Sequence, residues 1–242
     1  MPRRSASERS PHPPHAKSAP AAKIKPFNVA SDELEDLSRL AMKGFLIARD
    51  AAFNVRDLLT NSSRMAFLAI KDCEKELDII ERQIDERLPV AITRVNESRA
   101  RQLLSNLKCT TDLERIGDLV MSVAMRVQSR TERIPPSDIR QLVEMSAILR
   151  EMLDLIHTGF STLNLDSARK VLQMDKDIDR ICHALFQKHL AQSVPEGPSE
   201  FEVLLMAQAL ERAGDHATNL AEELYGLIEG RSLRHATKKK AD

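Results

Sequence analysis

Eight acidic side chains stand in four acid-x-x-x-Asp pairs: Glu74/Asp78, Glu114/Asp118, Asp175/Asp179 and Glu211/Asp215. On a helix, residues i and i+4 lie on one face about one turn apart. Two carboxylates at that spacing repel each other by roughly 0.2–0.5 kcal/mol, so a compensating cation is the chemistry to look for. If neighbouring helices bring two pairs together, four hard oxygens converge. That set suits Mg²⁺, Mn²⁺ or iron better than Zn²⁺, because no thiolate joins it. His183, His216 and Glu222 are further candidate ligands, since the fifth-helix ladder continues as Asp175, Asp179 and His183. Acidic pairs are also common on the wet helix faces of a protein with 30% charged residues. Duplication copies an accidental pair along with everything else. Metal ligation and a solvated acidic face therefore both stay open on the residues alone.

The pairs must be held by helices. Leu, Ala, Glu, Arg and Met are abundant, Gly is sparse at seven, and Trp is absent, which favours long helices. Asp32, with Glu35 three residues on, reads as an N-cap, and the first helix runs to about Thr60 before the Asn61-Ser62-Ser63 turn signal. A second helix runs from about Arg64 to Leu88 and stops at Pro89. A third runs from about Thr93 to Arg130. Ile134-Pro135-Pro136-Ser137 breaks and restarts the chain. A fourth helix runs to about Leu163, and a fifth, capped by Asp166, fades near Ser193. After the Pro195-Glu196-Gly197-Pro198 break, Ser199 and Glu202 form a capping box for a sixth helix that ends at Gly230.

Three helices lie on each side of Pro135-Pro136, and the two sides repeat. Leu113-Glu114-Arg115-Ile116-Gly117-Asp118 matches Leu210-Glu211-Arg212-Ala213-Gly214-Asp215 at five of six positions. Glu74-Lys75-Glu76-Leu77-Asp78 lies opposite Asp175-Lys176-Asp177-Ile178-Asp179. At 100° per residue, Leu113, Ile116, Val120, Ala124 and Val127 form an apolar stripe, and Leu210, Ala213, Ala217, Ala221 and Leu224 repeat it. Cys73, Leu77, Ile80 and Ile84 line the second helix, flanked by Glu74, Asp78, Glu81 and Asp85 as an acidic ladder. The arithmetic places Glu114 and Asp118 well off the stripe, toward water. Gly117 and Gly214 fall at its edge, where a missing side chain permits close helix approach.

The organisation expected is a disordered basic leader over 1–26, a first three-helix bundle over 27–133, a second over 134–231, and a basic tail over 232–242. The leader holds six of the eleven prolines, and its Arg3, Arg4, Arg9, Lys17, Lys23 and Lys25 face one acid, Glu8. Such a segment buries too little apolar surface to offset its ordering entropy. Lys238, Lys239 and Lys240 stand at the far end. Overall charge is balanced, with 36 basic and 36 acidic residues, and aromatics are too few for stacking on nucleic acid. Cys73, Cys109 and Cys182 make neither a disulfide framework nor a zinc motif. No apolar run suits a secretory signal or a membrane span, and a cytoplasmic location is expected.

The repeated signature, continued in the second half by His216-Ala217-Thr218-Asn219-Leu220-Ala221-Glu222, resembles that of the PhoU family over about residues 31–230. The resemblance implies an all-α fold of two tandem three-helix bundles, spectrin-repeat-like and related by a pseudo-twofold. It implies surface metal clusters (iron, manganese or magnesium) in some members, held by the acidic pairs, and no organic cofactor or catalysis. It also implies a homodimer that acts beside the phosphate ABC transporter ATPase and its sensor histidine kinase. Members restrain phosphate uptake and the phosphate-starvation response. This chain has Leu119 and Ser122 where the family usually has His and Asn, and Glu74 for the usual Asp, which implies a weaker first cluster.

Two other readings remain at this stage. A metal-storage or di-iron protein would place Glu and Glu-x-x-His ligands inside a bundle, whereas these acids read as outward-facing and no Glu-x-x-His occurs in the repeated signatures. A plain structural scaffold is not separable from a regulator by sequence. Removing residues 1–26 is expected to leave the melting temperature nearly unchanged, as followed by circular dichroism; a loss of many degrees would show that the leader is docked.

Overall fold

In the computed structural model, residues 29–130, 133–191 and 198–229 are described. They form six helices and no strand: α1 Val29–Asn61, α2 Arg64–Ile92, α3 Glu97–Ser129, α4 Pro136–Thr162, α5 Leu165–Leu190 and α6 Pro198–Glu229. The expected leader, the 195–197 part of the second break, the Gly230 stop and the basic tail lie outside these residues.

Each helix start has a local cause. Ser63 caps α2 by accepting from the Ala66 N–H, and Asn96 caps α3 by accepting from Arg99, each satisfying an otherwise orphaned donor. Pro136 opens α4 at its first turn, where no N–H is needed. Four boundaries differ from the expected ones. α1 already runs from Val29, with Asp32 inside its first turn. α2 continues through Pro89 to Ile92. Pro89 forfeits one hydrogen bond close to the helix end, while the buried Leu88 and Ala91 on either side hold that turn against the core. Thr93 is consequently the C-cap of α2 and α3 begins later, at Glu97. Asn164, not Asp166, caps α5 by accepting from the Asp166 N–H.

α1, α2 and α3 pack together, as do α4, α5 and α6, and the groups join through α1 against α4 and α3 against α6. The stripe residues Leu113, Ile116, Val120 and Ala124 and their counterparts Leu210, Ala213, Ala217, Ala221 and Leu224 are fully buried. Burying each of the larger side chains stabilises by about 1.5–3 kcal/mol. Polar links show that α3 and α6 run antiparallel. Lys108 meets Glu223 at 2.9 Å near one end, and Arg126 meets Glu202 at 2.7 Å near the other. Between α1 and α4, Arg49 reaches Asp154 at 3.3 Å, and the Arg150 guanidinium lies 5.2 Å from the Phe53 ring centroid.

Among the described residues, one carboxylate lies wholly inside. Asp138, in the first turn of α4, is fully buried and bound by Lys188, by Ser137 Oγ at 3.3 Å and by His189 Nε2 at 3.1 Å. It clamps the start of α4 to the end of α5. Replacing it by alanine strands His189 and the Lys188 ammonium without their shared partner. Asp138→Ala is expected to lower stability by about 1–3 kcal/mol, read from the urea midpoint, with Asp138→Asn losing less. An unchanged midpoint in both variants contradicts the clamp.

Candidate functional site

The two glycines do what their place in the repeat requires. A methyl on Gly117 of α3 would stand 2.7 Å from Leu77 Cδ1 and 3.7 Å from Glu74 Cα of α2. A methyl on Gly214 of α6 would meet Ile178 Cδ1 at 3.1 Å and Asp175 Oδ1 at 3.4 Å. Leu77 and Ile178 occupy equivalent positions in the repeat, so the same glycine-to-aliphatic contact is built twice. It draws α3 onto α2 and α6 onto α5 along the seams that carry the acids.

In the second repeat the seam brings Asp175 and Asp179 of α5 together with Glu211 and Asp215 of α6. Burial raises the Asp175 carboxyl to about 6, with Asp179, Asp215 and Glu211 adding to the rise. Glu211 is raised by burial and then by Asp215 and Asp179, and Asp215 by burial and then by Asp179. Asp175 Oδ1 is buried without a hydrogen-bond partner. Asp179, Glu211 and Asp215 line an open groove of about 690 Å³ together with Lys176, Arg180 and His183. His183 is exposed, with Nε2 2.9 Å from the Gln187 amide nitrogen.

In the first repeat Glu114 is the buried member. Its side chain is only 16% exposed against 46% for Asp118. This corrects the expectation that Glu114 faces water: it sits in the α2–α3 seam. Burial raises it to about 7, Asp118 and Glu81 push the same way, and Arg115 opposes. Glu114 Oε2 is buried and lacks a hydrogen-bond partner. Here, however, cations stand close. Arg115 lies 3.5 Å from Glu114 and 3.6 Å from Asp118, and Arg82 pairs with Asp78. Glu74 is half-buried beside the Gly117 contact. In the second repeat, none of the described ion pairs joins Asp175, Asp179 or Glu211 to a lysine or arginine.

Two further candidates are placed differently from the acid clusters. His216 turns toward α3, with Nδ1 2.8 Å from Asp112, and Asn219 donates to the same carboxylate at 3.2 Å. Glu222 is half-buried on α6, about 10 Å along the axis beyond Asp215. Sequence reasoning missed Asp112, because nothing in its own helix marks it as the partner of a side chain in the other repeat. It also missed Arg115 as a counter-ion, although an arginine inside each signature was visible. Among the described residues, no group of three or more His, Cys, Asp or Glu side chains stands in ligating geometry.

The PhoU domain family matches residues 42–127 and again 142–224. The chain belongs to the PhoU family. It is 31% identical over 211 residues to the phosphate-specific transport system accessory protein PhoU homolog of Rhizobium meliloti (strain 1021), covering 82% of this chain and 86% of that one. It is 29% identical over 211 residues to a homolog of the same description from Pseudomonas aeruginosa, covering 84% and 86%. The crystal structure of PhoU from Pseudomonas aeruginosa superposes with a TM-score of 0.75 at 25% identity over 83% of this chain and 99% of that chain. The PhoU matches fall on the two halves of the repeat, so the all-α, twice-repeated fold expected from the PhoU signature is the one found. Among the described residues, no helix is long and apolar enough to cross a membrane.

The PhoU seams carry a pH signature. With no cation bound, Glu114 and Asp175 hold protons more tightly folded than unfolded. Their contribution to stability is full below about pH 4 and is lost as pH rises through about 6 and then about 7. Thermal melts of chelator-treated protein are expected to weaken across that window. Asp175→Asn should raise the melting temperature near pH 8 and not near pH 4. A variant with wild-type pH dependence shows that Asp175 does not carry this charge strain.

Proposed function

We propose that this chain is a non-enzymatic, cytoplasmic regulator of phosphate uptake and of the phosphate-starvation response, a negative one when phosphate is plentiful. It acts as a homodimer through contacts with the phosphate ABC transporter ATPase and its sensor histidine kinase. Family membership and the printed descriptions of its relatives as accessory proteins of phosphate-specific transport support the phosphate role. The second-repeat seam supports a role for metal, and one observation carries it: Asp175 Oδ1 is buried and unpartnered among three other carboxylates.

The residues fit a hard cation. Asp175, Asp179, Glu211 and Asp215 would hold it, with His183 on the same groove, and oxygen donors of this kind select magnesium, manganese or iron. A bound metal supplies positive charge to the seam. The chain's own residues do the rest: Gly214 keeps α5 and α6 close, burial withholds water from Asp175, and Asp179 and Asp215 keep the groove mouth polar. Glu74, Asp78, Glu114 and Asp118 form the parallel set in the first repeat. There Arg115 and Arg82 already neutralise part of the charge, so the second repeat is the tighter site.

A storage or di-iron centre is the weaker reading. It needs ligands enclosed within a bundle, whereas Asp179 and Asp215 are exposed on the outer side of α5 and α6. Elemental analysis of protein purified without chelator is expected to find iron, manganese or magnesium. Glu211→Ala with Asp215→Ala should abolish most of that content with the helical signal intact, and Glu114→Ala with Asp118→Ala should remove less. Wild type that stays empty after soaking in all three ions refutes the metal part alone. Pull-downs with the transporter ATPase and the kinase test the regulatory part separately.

A further inference from the structure

The acids of the second seam share their groove with a sulfur. Cys182 follows Asp179 on α5 by three residues and His183 follows it by four, so the helix turns both toward the same side. Both line the groove of about 690 Å³ together with Asp179, Glu211 and Asp215. Cys182 is only 8% exposed, and among the described residues its thiol has no hydrogen-bond partner. Burial, then Glu211 and Asp179, push that thiol up to about 11, so its sulfur lies within electrostatic reach of carboxylates from both helices of the seam. The other two thiols are placed elsewhere. Cys73 is half-buried, and the acids that act on it are Asp50, Glu76 and Asp72. Cys109 is buried beside Glu223 and Asp112.

The repeat shows what this thiol replaces. The offset that aligns Glu74 with Asp175 aligns Glu81 with Cys182. Glu81 acts on Glu114 of α3, and Glu211 of α6 acts on Cys182, so the two side chains hold the same place against equivalent acids. One seam thus has an oxygen donor where the other has sulfur. An all-oxygen set is hard and suits magnesium or manganese. A set that adds a thiolate and an imidazole is borderline, and iron(II) or zinc fills it better, since both accept sulfur and nitrogen.

We infer that Cys182 is a further metal ligand of the second seam, beside Asp179, Glu211, Asp215 and His183, and that its sulfur makes this seam select iron(II) or zinc over magnesium and manganese. The first seam, with Glu81 in that place, stays a hard oxygen site. This rests on the metal reading of the seam given above and adds the side chain that sets the choice of ion. On binding, the Cys182 S–H bond is replaced by a bond from sulfur to the ion, the proton passes to solvent, and neither partner changes oxidation state.

The test is titration of Co²⁺, a spectroscopic probe for ions of the iron and zinc class, into the chelator-stripped full chain with a phosphine reductant present. A sulfur-to-cobalt charge-transfer band in the near ultraviolet is expected, saturating at one thiolate-bound ion per chain. Zn²⁺ should displace it, and a large excess of Mg²⁺ should not. Cys182→Ser is expected to lose the band and to weaken Co²⁺ binding at this seam about tenfold or more, with the circular dichroism of wild type. Cys73→Ser should keep both the band and the affinity. Glu211→Ala with Asp215→Ala should lose the band as well, for want of the carboxylates that hold the ion beside the sulfur. Cobalt uptake by wild type without the band, or a band that survives Cys182→Ser, overturns the inference and leaves the acids standing as ligands. Displacement by Mg²⁺ as effective as by Zn²⁺ overturns the selectivity. Wild type that takes up no ion at all removes the metal reading itself, and this inference with it.

Discussion

A methyl group on Gly117 would come within 2.7 Å of Leu77 Cδ1, and one on Gly214 within 3.1 Å of Ile178 Cδ1. The two seams therefore exist at their present spacing only because each signature has no side chain at that point. Everything notable about the acids follows from that spacing. With α3 drawn onto α2 and α6 onto α5, one carboxylate per seam is withdrawn from water, Glu114 in the first and Asp175 in the second. Withdrawal makes the charged form costly, and the neighbouring acids increase that cost. On a lone helix the same residues would be ordinary solvated acids.

Duplication supplied the contact twice, but the repeats have diverged in how they balance its charge. In the first, Arg115 lies between Glu114 and Asp118 while Arg82 holds Asp78. The second has its arginine at the equivalent place, Arg212, where it opposes the rise at Glu211 without forming a described ion pair. Divergence also reaches the seam between repeats. His216 and Asn219 both bind Asp112, whereas the corresponding positions of the repeat hold Leu119, Ser122 and the buried Ala209. One copy of the link is built on a carboxylate, and the other has no carboxylate or imidazole at these positions. Leu119 and Ser122, where the family usually has His and Asn, thus bear first on the junction between α3 and α6.

The architecture was legible because it depends on signals that are local or repeated. Helix formers fill each segment, Pro135-Pro136 punctuates the middle, and the two signatures match at five of six positions. At the end of α2, tertiary burial outweighed local preference. Pro89 reads as a stop, yet Leu88 and Ala91 are buried and carry the helix past it. Glu114 was placed toward water because angular arithmetic finds one stripe per helix. α3 packs against α1, α2 and α6, so a residue off the main stripe lies in a second contact. The Asp112 link joins segments distant in sequence, and no single-helix pattern encodes it.

The physical division between core and seam limits how any cation can act on this fold. The interior is apolar and closely packed, and residues such as Leu113, Ile116, Leu210 and Ala213 fix the helix axes whatever the state of the carboxylates. Neutralising Asp175, Asp179, Glu211 and Asp215 consequently changes the electric field over the outer face of α5 and α6 and the positions of a few side chains. It has little leverage on the backbone. A partner reading that face would sense charge first, and such contacts respond strongly to ionic strength and govern encounter rates and partner choice more than final affinity. The proposed regulation would be well served by that arrangement: the face could change sign locally while the scaffold that presents it stays the same.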